Sequence, residues 1–185
     1  MSQATEQWYS FAIKQAWVAA YSTSVAATWT ELPVTSNSTI DVAVTRADVR
    51  DGIGDLQHTW FHTRTATLSL TMRQWGMRVL ELISGNPVSS TSAHDSIDFG
   101  RDEEISPPKC RIRLKCDAVD ETGVTEGYMY VYLYAVQFGF PSIGMAETTP
   151  GEITLEGSCL VVQYNELAVN VGKTMFGRID AIVDT

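Results

Sequence analysis

At 185 residues the chain is long enough for one substantial core and short for two, so a single domain spanning 1–185 is expected. Apolar residues at 44% and charged residues at 19% exclude a disordered chain, and the supply of Val, Thr, Tyr and Trp favours strands. A formal charge of −9 argues against tight nucleic-acid binding, because displacing counterions from phosphates takes clustered cations.

The opening MSQATEQWYS has no basic region followed by an apolar run, so no secretory leader is expected and the chain is placed in the cytoplasm. From Ser10 to Thr30 an Ala-rich run also fits a helix, but Ile13, Trp17, Ala19 and Tyr21 can share one strand face, and the stretch is read as a strand. ELPVTSNS is turn chemistry, and a short strand follows over Ile40–Thr45. Arg46–Gln57 carries two glycines and no periodicity, which predicts an exposed loop.

Ala66, Leu68 and Leu70 alternate with Thr65, Thr67 and Ser69, the period of a half-buried strand. From Met72 the period becomes helical, predicting a helix over about Met72–Ser84 that packs on a sheet through Met72, Trp75, Gly76, Val79 and Ile83. Thr71 and Gln74 read as a capping box, Gly85 and Pro87 as the stop, and Gly76 as a point of close approach to the sheet. A second loop is expected over about 86–108.

The clearest hairpin comes next. Cys110, Ile112, Leu114 and Cys116 form an apolar face opposite Lys109, Arg111, Arg113 and Lys115; after a turn near DETG, Met129, Val131 and Leu133 oppose Tyr128, Tyr130, Tyr132 and Tyr134. A basic row therefore lies beside a tyrosine row, read either as a partner-covered face, as an internal cation–π array, or as a platform for single-stranded nucleic acid. In EITLEGSCLVVQ, Ile153, Leu155, Cys159 and Val161 claim the core and Glu152, Thr154, Glu156 and Ser158 the other face. Short strands are expected in LAVNV and GRIDAIV.

Recognisable catalytic chemistry is absent. There is no phosphate-binding loop, GxGxxG or GxSxG pattern, or paired CxxC, and no enzyme is expected. His58 and His62 with Asp55 fall short of four convergent ligands, so no metal or other cofactor is expected. Cys110 and Cys116 would stand about 20 Å apart along one strand, too far for a disulfide. Buried free thiols are expected, with a bond from Cys159 or to another subunit as the alternative.

In the order of its elements the chain resembles the tail tube (major tail) proteins of tailed bacteriophages. The likeness is carried by TATLSLTMRQWGMRVLELISGNPV, a strand leading into one amphipathic helix, by PPKCRIRLKCDAVDETG, and by TTPGEITLEGSCLVV. The resemblance implies a mainly β fold, a β-sandwich or partly closed barrel with one flanking helix, whose copies form homohexameric rings that stack into the conduit for genome ejection. It further implies a virion tail location and as partners the chain itself and other tail proteins (a terminator, a tail tip or baseplate, a sheath where the tail contracts). DNA passes transiently and without sequence preference, and no stable membrane insertion is implied. On that reading Glu152, Thr154, Glu156 and Ser158 line the channel. The loop residues Asp48, Arg50, Asp51, Asp55, Asp102, Glu103 and Glu104 are expected at contacts between subunits or rings. A capsid decoration protein, a head-to-tail joining protein or a nucleic-acid-binding β-module are the alternatives.

Overall fold

The alternation at Lys109–Val119 and Thr125–Phe138 builds the centre of the molecule, two strands paired through ten registered residue pairs. The computed structural model describes residues 9–33, 35–50, 56–72, 76–98, 107–119, 125–139, 142–144 and 152–183. In chain order the elements are β1 (Tyr9–Ala20), β2 (Thr30–Leu32), β3 (Thr35–Arg50), β4 (Leu56–Met72), α1 (Met77–Ser84), β5 (Val88–Ser90) and β6 (Asp95–Ile97). There follow β7 (Lys109–Val119), β8 (Thr125–Phe138), β9 (Ser142–Gly144), β10 (Glu152–Cys159), β11 (Val162–Tyr164), β12 (Asn170–Met175) and β13 (Gly177–Val183).

The fold is mainly β with one short helix, as the composition predicts. Nine strands form one antiparallel sheet in the order β2-β1-β7-β8-β10-β4-β3, with β13 added to β8 and β9 to β10. The sheet bends until β1 approaches β3, yet these do not pair, and the described strands close no barrel. Inside the bend lies one core: Ala16 and Val18 from β1, Leu68 and Leu70 from β4, Ile112 and Leu114 from β7, Val136 and Phe138 from β8, Ile153 and Leu155 from β10. Each such side chain contributes roughly 1.5–3 kcal/mol by leaving water. The helix adds Val79, Leu80 and Ile83.

Several expectations change. The strand at 10–30 ends at Ala20, and its inward residues are Ala16 and Val18, while Trp17 is only half-buried and faces the other way. The cause is irregular register on both sides of Ile13: the extra residue between Ile13 and Gln15 inverts the parity after Ile13, so Ile13 and Ala16 both reach the core. A second shift, between the pairs Cys110–Val136 and Ile112–Leu133, inverts β8, and Tyr134 is buried instead of continuing the tyrosine row. Val161 lies beyond the end of β10 and is exposed.

The loop expected at 46–57 is largely strand. β3 runs to Arg50 and β4 starts at Leu56, with pairs continuing through Ala47–Trp60 to Arg50–Leu56. β10 joins β4 only over Ala66–Met72, so the outer half of this hairpin is a two-stranded arm. The expected loop at 86–108 likewise contains a small β5–β6 hairpin.

The helix begins later than the period suggests. β4 continues through Met72, so Met72 reaches the core from a strand, and Thr71, paired with Thr154 and Asn37, is no cap. Gly76 is the N-cap, exposed, with open space where a Cβ would stand, so it marks no close approach. Val79 and Ile83 pack as expected, and Trp75 lies outside the described residues. The stop is as predicted: Gly85 adopts φ 76° and donates its N–H to the Glu81 carbonyl at 2.9 Å.

Candidate functional site

The outward faces of the bent sheet are chemically opposite. On one, β10 alternates as the sequence predicts: Ile153, Leu155 and Cys159 are buried, Glu156 and Ser158 exposed, and Glu152 and Thr154 intermediate. Register sets Glu156 beside Ser69 and Ser158 beside Thr67, while on the far side of β4 Thr39 pairs with Ser69 and Asp41 with Thr67. Thr71 and Thr154 place their hydroxyl oxygens 3.4 Å apart. These side chains surround a shallow recess of about 500 Å³ whose polar lining includes Thr39, Asp41, Thr67, Ser69, Glu156 and Ser158. The four predicted channel residues thus share one face of one strand, and the structure adds Asp41 from β3. Short hydroxyls and carboxylates make this a smooth surface that repels anions.

The other face, over β1, β7, β8 and β13, joins cations to aromatic rings. Pairing Trp17 with Arg113 and Arg113 with Tyr132 places the guanidinium 4.1 Å from the Trp17 ring centre and 4.9 Å from Trp29. Lys115 Nζ stands 3.5 Å from the Tyr128 centre, and Arg178 on β13 reaches Tyr132 at 5.2 Å. The basic row and tyrosine row were legible in the sequence; Trp17, Trp29 and Arg178 were not, because they arrive from distant segments. Cations already cover the ring faces, which leaves little open π-surface for base stacking and weighs against a single-strand platform.

One member of the basic row is buried. Arg111 has no exposed surface, and its guanidinium donates to the carbonyls of Val25 at 3.3 Å, Glu166 at 3.2 Å and Ser22. Burial pulls its pKa down, opposed by Tyr21 and Glu166. Glu166, also buried, accepts from Arg178 at 2.9 Å, and its backbone carbonyl takes the N–H of Ala27 at 2.8 Å. This cluster clamps residues 22–27 and the turn after β11 onto the sheet, and so holds the segment that carries Trp29. Only its place in the basic row was visible beforehand; a partner 55 positions away leaves no local signal.

No protein-family model matches the chain, and no curated protein matches it. The reading therefore rests on the two faces and on the remaining candidate residues. Asp48 and Arg50 fall on the two-stranded arm, while Asp51, Asp55, Asp102, Glu103 and Glu104 lie outside the described residues. The side chains of His58 and His62 lie outside them too. Among the described residues no group of three or more His, Cys, Asp or Glu is placed to hold a metal. No helix among them is long and apolar enough to cross a membrane.

The three cysteines are free. Burial pushes the Cys110 thiol up to about 12 and the Cys159 thiol up to about 11, while Cys116 is half-buried and raised by burial and by Asp117. Thiolate is the reactive form. Iodoacetamide near pH 8 is therefore expected to label Cys116 first and the other two only after unfolding, read by peptide mass spectrometry. Labelling of Cys110 or Cys159 at the same rate in the folded chain would contradict this.

Proposed function

We propose that this chain is a structural subunit of a tail tube of the tailed-bacteriophage type, a non-enzymatic protein whose copies form stacked rings around a channel for DNA. The observation that carries the reading is the conjunction of an unclosed sheet with a smooth hydroxyl and carboxylate face. Among the described residues β3, sixteen residues long, has no strand on its outer edge, and β13 has none on its far edge. In a monomer such edges invite pairing with other chains; in a ring they are the pairing surface. Once edges pair around a symmetry axis, one outward face of the sheet looks into the lumen. The face bearing Asp41, Glu156 and Ser158 suits that position, since among the described residues lining it there is no cation to hold a phosphate and no bulky ring to obstruct passage. Localisation in a virion and contacts with other tail proteins belong to this same proposal.

Sedimentation at rising concentration, with negative-stain imaging of the heaviest fraction, tests the reading. Rings or tubes support it, and a monomer at every concentration, also with a tail-tip initiator present, removes it. The channel assignment has its own test. Asp41→Lys with Glu156→Lys is expected to leave tubes able to assemble while DNA ejection becomes slower and steeply salt-dependent, because the wall then binds phosphate. Unchanged ejection from well-formed tails places this face outside.

A further inference from the structure

The cation–aromatic face is chemically one-sided. Six of the chain's 13 Lys and Arg residues gather on or beside it (Lys14, Lys109, Arg111, Arg113, Lys115 and Arg178), in a chain of net charge −9. Three of the six are neutralised or enclosed: Lys14 pairs with Asp117 at 3.1 Å, Arg178 with Glu166 and Asp180, and Arg111 is locked among carbonyls. Lys109, Arg113 and Lys115 have no carboxylate partner among the described residues and rest only against rings. Exposed hydrogen-bonding groups on this face are chiefly ammonium, guanidinium and phenol donors, so the complementary surface is rich in acceptors. Trp, Tyr and Arg are also the side chains that carry most binding energy where proteins meet.

We propose that this face docks the acidic segment Asp102-Glu103-Glu104 of a second copy of the chain. That segment is the sole run of three consecutive carboxylates in the sequence, and Ile105 follows it as an apolar contact for the rings. The contact is heterologous: one copy gives the segment and the next gives the face, so association propagates instead of stopping at a pair. Naming a second copy rests on the tube reading; the charge and donor argument for the face does not.

Complementary charge reversal tests it. Lys109→Glu with Lys115→Glu disables the face, and Asp102→Lys with Glu103→Lys and Glu104→Lys disables the segment. Each variant alone is expected to associate at least about tenfold more weakly than the unsubstituted chain. Mixed, they should regain growth as an alternating assembly, because each segment then meets a face of opposite charge. A chain with all five substitutions should regain growth. If the reversed-face variant fails to fold by circular dichroism, Lys109→Gln with Lys115→Gln replaces it.

Variants that associate like the unsubstituted chain, or a mixture no better than its components, overturn the docking while leaving the tube reading intact. A chain that never associates removes the tube reading instead. Docking is then judged by fluorescence anisotropy of a labelled peptide of residues 98–107. Saturable binding that is lost in the reversed-face variant supports the assignment, and no binding ends it. Displacement of that peptide by an oligothymidylate would assign the face to nucleic acid and overturn the proposal.

Discussion

Arg111→Met is expected to cost the fold roughly 3–5 kcal/mol, more than a replacement on either exposed row should cost. The guanidinium satisfies carbonyls of Ser22, Val25 and Glu166, groups that come from two segments far apart in sequence. Met fills similar volume and restores none of those hydrogen bonds, so three acceptors must find water by lifting off the sheet. The Glu166 carboxylate, one oxygen of which has no hydrogen-bond partner and the other of which is held by Arg178, also loses the nearby Arg111 charge. Arg111→Lys should fall between, since an ammonium cannot reproduce the planar fork that spans several carbonyls. Urea unfolding followed by far-ultraviolet circular dichroism gives the loss. Near-ultraviolet spectra should change with it, because Trp29 sits on the released segment with its ring centre 6.4 Å from that of Tyr132, in a tilted arrangement. A loss below about 1 kcal/mol would mean that the cluster is a bystander.

Gly177→Ala is expected to detach the start of β13 at a cost of roughly 2–4 kcal/mol. A Cβ at this position would stand inside the Tyr132 carbonyl oxygen and about 3 Å from the Leu133 Cα, both of them backbone atoms that cannot swing aside. β13 pairs with β8 from Gly177–Leu133 to Val183–Gly127, and the Phe176 carbonyl accepts the Tyr134 N–H at 2.9 Å just before it. Lifting the first pair also pulls Arg178 away from Glu166 and Tyr132. Hydrogen exchange should rise at amides of 128–134 beyond any other part of the sheet. Gly172 is the control: its φ of 71° makes Ala costly by about 1 kcal/mol, but nothing lies within reach of the added carbon. Equal effects at the two positions would refute the packing argument.

Much of the sheet was legible because alternation is local. The inward sets Cys110, Ile112, Leu114 and Ile153, Leu155, Cys159 were read from the chain alone, as were the outward Glu156 and Ser158 and the glycine stop at Gly85. Wherever a core lies on one side, a period of two leaves no choice of face. The end of α1 was readable because a left-handed residue at Gly85 is a property of that residue.

Tertiary structure decided the rest. Extra residues on either side of Ile13 and one near Tyr134 changed which side chains face inward, and a bulge has no signature in composition. The arm of β3 and β4 looked like a loop because its sequence carries no hydrophobic period, whereas the pairing between its strands, which sequence does not record, makes it extended. Met72 looked helical and Thr71 looked like its cap, yet both lie within the strand, since pairing with β10 outweighs a weak local preference. The burial of Arg111 came from Ser22, Val25 and Glu166, brought together only when the sheet bends. Sequence by itself determined the periods, the helix stop and the charge of each row; which rows meet was settled by long-range packing, where local preferences are worth tenths of a kcal/mol and burial is worth several.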